Sequence, residues 1–221
     1  MYKAISILFI VVALMAACQE APQADKAKVT DAQAVQPGAG DTYLADTAAS
    51  SIGWIGTKPT GKHHGSIRLA SGTLHVKDTS ITGGHFVINM HTMQDIDLAG
   101  DTAMKNKLER ELKGPLFFDV EKYPTAIFEI TGIKPYHPSV NEEIDLKDAT
   151  HIIQGNFTMK AVTKNITFPA IISINSGKVS ATASFNIDRT LWGISYRADK
   201  SVQDKLINSQ VNISFNIIAR R

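Results

Sequence analysis

The sequence predicts an all-β fold over residues 42–221, a sandwich or a closed antiparallel β-barrel, carrying one short α-helix. From Thr42 onward apolar and polar residues alternate in segment after segment. Val179, Ala181, Ala183, Phe185 and Ile187 fall on one face of a strand, with Ser180, Thr182, Ser184, Asn186 and Asp188 on the other. Val211, Ile213, Phe215 and Ile217 alternate in the same way with Asn212, Ser214 and Asn216. Strand side chains point to opposite faces with period two, so each segment has one dry and one wet side. Many such strands need a shared interior. About 180 residues is enough for one domain with a sizeable core.

In chain order the alternation predicts strands at Thr42–Asp46, Ser51–Lys58, His63–Leu69, Thr73–Asp78, Gly83–His91, Thr125–Lys134, Thr150–Met159, Lys164–Ile174, Lys178–Asp188 and Gln210–Ala219. Turns are expected at Lys58-Pro59-Thr60-Gly61, Ala70-Ser71-Gly72 and Asn175-Ser176-Gly177, the last short enough for a hairpin. One segment breaks the period. Asp101 to Lys113 sets Ala103, Met104, Leu108 and Leu112 at helical spacing, with Asp101 as N-cap and Gly114-Pro115 as the stop. This helix is expected to cross one end of a barrel. The loop Tyr136 to Lys147, with Pro138 and the pair Glu142-Glu143, is a surface excursion without a chemical role.

Ahead of this domain stand two segments of other character. Lys3 followed by the apolar run Ala4–Ala17 has the proportions of a signal peptide and is too short to span a bilayer. It ends Leu14-Met15-Ala16-Ala17-Cys18, which resembles the lipobox of bacterial lipoproteins. That resemblance implies an acylated Cys18, membrane anchoring and a domain facing the periplasm. Gln19, rather than Asp, after the cysteine favours the outer membrane. Cys18 is the sole cysteine, so it forms no internal disulfide. Residues 19–41, rich in Ala, Gln, Pro, Gly and Asp and without an aromatic residue before Tyr43, are expected to be a disordered tether. The formal net charge of +2 includes Lys3 of the leader. The remainder lies close to neutral and does not suggest nucleic acid as a partner.

Nothing in the sequence points to catalysis, and the chain is expected not to be an enzyme. His85 and His91 are six residues apart on one strand, about 20 Å by strand rise, too far to share a metal ion. His63 and His64 are neighbours on a strand, so they face opposite sides and cannot both ligate one metal without a bulge. They are expected to be surface histidines, and no metal or cofactor is expected. There is no Gly-x-Ser-x-Gly elbow and no Gly-rich phosphate loop between a strand and a helix.

Several segments together resemble the YceI-like family. They are Tyr43-Leu44-Ala45-Asp46, Ser51-Ile52-Gly53-Trp54, Gly61-Lys62-His63-His64-Gly65, Leu112-Lys113-Gly114-Pro115-Leu116-Phe117-Phe118-Asp119-Val120 and Tyr123-Pro124-Thr125-Ala126-Ile127-Phe128. Gly155–Lys164 and Phe185–Ile194 complete the set, in the family's order. The chain departs from it at Phe157, where Leu is common, and at Ala161, where Gly is common. Glu111–Leu116 replaces a segment that usually carries His-Leu.

The resemblance implies an extended, lipocalin-like antiparallel barrel that binds polyisoprenoid lipids, and it allows a homodimer. On that reading the cavity is surrounded by Trp54, Phe86, Ile88, Met90, Phe128, Ile130, Phe157, Phe168, Ile172, Phe185, Ile187, Trp192, Ile213 and Phe215. Apolar strand residues more commonly pack a filled core. Two functions therefore compete. The first is non-catalytic binding, sequestration or transport of an isoprenoid-type lipid, a polyprenyl phosphate or a quinone, in the cell envelope. The second is a structural or interaction protein whose barrel is filled. Trp54 and Trp192 either close the tunnel ends, stacking on a headgroup, or act as core anchors. Arg189 either grips an anionic head with its planar fork or pairs with Asp188 or Asp119.

Overall fold

The computed structural model describes residues 21–198 and 206–221; the leader and Cys18 lie outside them. Eleven strands follow one another: β1 Asp25–Lys26, β2 Lys28–Asp31, β3 Asp41–Ala45, β4 Ser51–Lys58, β5 Gly61–Lys77, β6 Ser80–Asp95, β7 Thr125–Pro135, β8 His151–Met159, β9 Val162–Asn175, β10 Lys178–Asp188 and β11 Gln210–Arg220. The helix α1, Thr102–Lys113, lies between β6 and β7, and a 3-10 turn, Arg189–Trp192, follows β10. Strands β4 to β11 pair each with the next, and β11 pairs back onto β4, every contact antiparallel. The wall is therefore a closed eight-stranded barrel. Strand β3 continues the stave of β4, pairing with the same two neighbours nearer the other end.

The two strands expected at His63–Leu69 and Thr73–Asp78 are one, the 17-residue β5. Ala70-Ser71-Gly72 is not a turn but a bulge, where Leu69 faces Ile88 and Ser71 faces Val87, leaving Ala70 unpaired. Such bulges bend a long strand around a barrel. Gly72 marks close packing: a Cβ there would lie 2.5 Å from the Phe86 ring and 2.8 Å from Ala45. On β6 the excess falls at Met90–Met93, between Asn89 facing Arg68 and Gln94 facing Ser66. Both methionines turn into the core.

The segment expected to be a free tether is instead laid against the barrel from Ala21 onward. Strand β9 pairs with β10 only over Ile171–Asn175 and Lys178–Thr182. Pro169, which has no N–H to donate, stands where β9 parts from β10. Into that seam come β1, parallel to β10 at Phe185 and Asn186, and β2, antiparallel to β9 over Lys164–Thr167. Ala27 and Val29 pack onto the core. Outward-facing asparagines clamp this strap. Asn156 Oδ1 accepts from Gln33 N at 2.9 Å while its Nδ2 donates to Gln33 O at 2.7 Å. Asn186 Nδ2 donates to Pro22 O at 2.8 Å. Four residues of the supposed wet faces, Asn156, Asn165, Asn186 and Asn212, are buried as a result.

Helix α1 begins where expected, with Asp101 Oδ1 accepting from Met104 N at 3.0 Å. It ends at Lys113 because Gly114, which precedes Pro115, is held extended at φ −76° and ψ 174°. The β9–β10 hairpin turns through Ser176 and Gly177, both at positive φ (43° and 77°). The β8–β9 hairpin does the same with Lys160 (φ 50°) and Ala161 (φ 61°), neither of them glycine. Paired left-handed residues suit the twist of a two-residue hairpin, but a Cβ in that region costs about 1–2 kcal/mol. Ala161→Gly should therefore raise stability by about 1 kcal/mol, a rise in Tm of about 2–4 °C in a thermal melt. A lower Tm would show that Ala161 is held there by contacts outweighing its strain. Asn156→Ala removes both sides of the Gln33 clamp and should cost about 2 kcal/mol. Hydrogen exchange should then quicken at the amides of Lys28–Asp31 ahead of those in β5 and β6.

Candidate functional site

Dry faces from every stave of the closed wall converge on one elongated cavity of about 220 Å³. One water needs only roughly 15 Å³, and an apolar void of roughly 150 Å³ already admits a small aromatic hydrocarbon. Arg189 apart, the lining side chains are hydrocarbon, aromatic or thioether. Ile217 and Val211 both line it and stand six residues apart on β11, as do Ala181 and Ile187 on β10. At strand rise the cavity thus follows the wall for roughly 20 Å. That shape suits a chain rather than a compact ring system. Ala126 and Ala181 help to leave the room, being the smallest side chains the wall presents.

Of the residues named from the sequence, Trp54, Phe86, Ile88, Met90, Phe128 and Ile130 line the cavity. So do Phe157, Phe168, Ile172, Phe185, Ile187, Ile213 and Phe215. Phe168 and Phe185 stack with centroids 4.1 Å apart and rings 16° from parallel. Phe215 meets both edge-on, and Phe128 closes on Phe168 at 6.0 Å. All four rings also face the void, so the cluster forms a wall of the cavity and does not plug it. The sequence reading missed Ile52, Leu69, Leu74, Met93, Leu112 and Phe117, which line it as well. Period two signalled the strand members among them. Met93 lies beyond a bulge and Leu112 and Phe117 lie in and after the helix, where that period does not apply.

Trp192 does not line the cavity. It is fully buried beside it, with Nε1 donating to Phe157 O at 3.0 Å and its ring edge-on to Phe157 at 5.5 Å. It is a core anchor. Arg189 reaches the cavity edge but offers no free fork for a headgroup. Its guanidinium donates to the carbonyls of Asn208 (3.1 Å), Ile194 (2.5 Å), Tyr196 (3.0 Å) and Ile207 (2.9 Å). Nor does it pair with Asp188 or Asp119. The Asp188 carboxylate caps the 3-10 turn, accepting from Thr190 N at 3.0 Å. Burial lowers the Arg189 pKa from its ordinary value. Four of its five N–H groups are engaged, and it acts as the knot that ties the turn to the start of β11.

The mouth lies at the end where α1, the β4–β5 hairpin and the β8–β9 hairpin meet. A second hollow there shares Trp54, Gly56, Leu112, Phe117 and Ile207 with the cavity and adds Thr57, Lys58, His63, Glu111 and Arg197. Lys160 Nζ donates to Phe117 O at 2.5 Å, holding the segment after α1 to the β8–β9 hairpin. Two polar atoms here are buried without a partner among the described residues, Trp54 Nε1 and Thr57 Oγ1. Buried polar groups are nearly always paired, so an indole N–H and a hydroxyl left open beside an apolar tunnel suit a ligand oxygen.

His63 and His64 do not point away from each other's partners as expected for strand neighbours. His63 Nδ1 lies 2.9 Å from Asp97 Oδ2, and His64 Nδ1 lies 3.6 Å from Asp97 Oδ1. Asp95, wholly buried, completes the group, its Oδ2 4.0 Å from His63 Nδ1. Burial pushes the Asp95 pKa up, and neighbouring Asp97 adds to the rise. Burial also acts to raise Asp97, but the His64 N–H and the His63 ring outweigh it and hold that carboxyl low.

Wall and void together define a small antiparallel β-barrel of the class wide enough to hold one ligand. A model of the YceI-like domain matches residues 43–219, and the chain belongs to the YceI-like family. Solved structures share the fold, two of them over most of both chains. BcnA of Burkholderia cenocepacia is similar with a TM-score of 0.59 at 16% identity, over 79% of this chain and 98% of that one. A polyisoprenoid-binding domain from Saccharophagus degradans, implicated in plant cell wall breakdown, has a TM-score of 0.57 at 13% identity, over 80% and 97%. No curated protein matches the chain in sequence.

Filling the void tests the site directly. Ala126→Phe places a ring in the cavity from the β6–β7 pairing, where Ala126 faces Ile88. The ring occupies existing room, so Tm should move by only a few degrees, against the roughly 1–3 kcal/mol that overpacking a full core costs. Uptake of a long-chain fluorescent lipid should fall at least about tenfold, or about 1.4 kcal/mol. Unchanged uptake with an unchanged fold would place the ligand elsewhere.

Proposed function

We propose that the protein binds an isoprenoid-type lipid in the axial cavity, and sequesters or carries it within the cell envelope without a covalent step. One observation carries this reading: an apolar void that follows the barrel wall for roughly 20 Å and reaches two polar atoms left without a partner among the described residues. Burial of each methylene of a chain contributes about 0.8 kcal/mol, so the tail needs no polar contact to be held. The polyisoprenoid-binding domain of like fold supports the same ligand class. At the mouth, Trp54 Nε1 and Thr57 Oγ1 suit the oxygen of a quinone, while Lys58 and Arg197 supply charge for a polyprenyl phosphate. Exposed Ile96, Met104, Leu116 and Leu191 stand in the segments around that end, fitting it for exchange with a lipid surface. Anchoring through an acylated Cys18 in the outer membrane, with the domain facing the periplasm, belongs to the same proposal and rests on the Leu14–Cys18 motif and Gln19.

Native mass spectrometry of the protein purified from its own membranes, followed by organic extraction, tests the proposal. One lipid per chain, released by solvent and identified as a quinone or a polyprenyl phosphate, is the expected result. Repeated preparations that carry no lipid and take up neither compound when offered would leave the barrel a scaffold. The extracted lipid's head separates the two ligand readings. The mass of the mature N-terminus reports whether Cys18 carries acyl chains.

A further inference from the structure

We infer that His63, Asp95 and Asp97 form a binding site for one divalent transition-metal ion of the zinc class, at the rim of the mouth. The three residues come from the start of β5, the end of β6 and the connection to α1. Each offers one donor atom, and the three lie within 4.8 Å of one another. His63 Nδ1 stands 2.9 Å from Asp97 Oδ2 and 4.0 Å from Asp95 Oδ2. Donors that share a tetrahedral zinc at about 2.0–2.2 Å lie about 3.4 Å apart, so the observed spacings bracket the value required.

The independent observation is Asp95. Its side chain is wholly buried, and its Oδ2 has no hydrogen-bond partner among the described residues. A proton on His63 does not answer this, because it serves Asp97 at 2.9 Å and leaves Asp95 at 4.0 Å, beyond hydrogen-bond reach. An ion between the three donors satisfies all of them. The other half of each carboxylate is already fixed: Asp95 Oδ1 accepts from Leu98 N at 2.8 Å, and Asp97 Oδ1 from His64 N at 2.7 Å. Backbone amides thus hold the two Oδ2 atoms toward the imidazole, the outer support that metal ligands usually receive. Beyond them Glu109 accepts from Asp95 N at 2.9 Å and pairs with Lys105 Nζ at 2.9 Å, and Lys105 also donates to the Asp95 carbonyl. Asp95, Asp97 and Glu109 against Lys105 leave two negative charges, matching a divalent ion. One imidazole nitrogen with two carboxylate oxygens suits zinc better than calcium, and three protein ligands leave a position for water. His63 also lines the mouth hollow, so the ion ties β5 to the segment that carries α1 and braces that rim.

Calorimetric titration of the full chain with zinc chloride alone, after treatment with a chelator, should give one site per chain. The cobalt-loaded chain should show the strong visible absorption of a low-coordinate site. His63→Ala and Asp97→Asn should each lower the zinc affinity at least about tenfold, since even outer-shell partners are worth about 10–100-fold. His91→Ala, a surface histidine near Glu121, should leave it unchanged. Asp97→Asn carries the test if Asp95→Asn does not fold, because Asp97 is partly exposed. A wild-type chain that takes up no zinc overturns the proposal, as does full affinity in both His63→Ala and Asp97→Asn. Because the ligand here is the metal alone, the result is independent of whether a lipid fills the barrel.

Discussion

A closed β-wall has to pair its backbone groups all the way round, and in this barrel the ladder between β9 and β10 stops partway. The two strands part near Pro169, with more than half of each left without this neighbour. An unpaired edge beside an apolar interior is costly in lost hydrogen bonds and invites pairing with other chains. The strap β1–β2 occupies that seam, parallel to one strand and antiparallel to the other. Much that is odd about the exterior follows. Asparagines that alternate as solvent-facing residues are buried under the strap, and they bond to its main chain and to one another. Closure depends on a segment whose composition carries almost no apolar signal.

That dependence explains what could be read from the residues and what could not. Strand positions from Ser51 to Ala219 were legible because a half-buried strand writes its period into the sequence, and the dry sets at Phe185–Ile187 and Ile213–Phe215 did reach the interior. The strap was not legible. It binds through backbone groups and through asparagines some 120 to 160 residues away, and neither leaves a local pattern. The bulged β5 was misread as two strands because Ala70-Ser71-Gly72 has the composition of a turn, while Gly72 is there to clear Phe86 and Ala45. Arg189 shows the same limit at a single residue. Its sequence neighbours suggest a carboxylate or a headgroup as partner, whereas it is held by four carbonyls beyond the 3-10 turn, two of them as far on as Ile207 and Asn208. The grouping of His63 with Asp95 and Asp97 follows from the register Gly65 to Asp95, which the extra residues at Met90–Met93 shift out of reach of simple counting.

An empty barrel of this size is not at its stability optimum. At about 24 cal/mol per Å³, a void of about 220 Å³ forfeits about 5 kcal/mol relative to a filled interior. That is comparable with the whole net stability of many domains. Larger residues at Ala126 and Ala181 would recover part of it, and their absence gives the cavity a physical cost that structure alone does not require. An apolar chain in the void offsets the loss by supplying the missing contacts, so ligand affinity and folding stability become the same free energy seen from two sides. The rigid parts of the molecule are arranged accordingly. The aromatic wall of Phe168, Phe185 and Phe215 and the Arg189 knot hold the barrel in shape without reaching across the axis. Two of the buried polar atoms without a partner among the described residues, Trp54 Nε1 and Thr57 Oγ1, lie at the mouth, where a guest's polar end would stop. A barrel built merely to stand would have closed its centre and paired those atoms internally; on the proposed function, both tasks fall to the bound lipid.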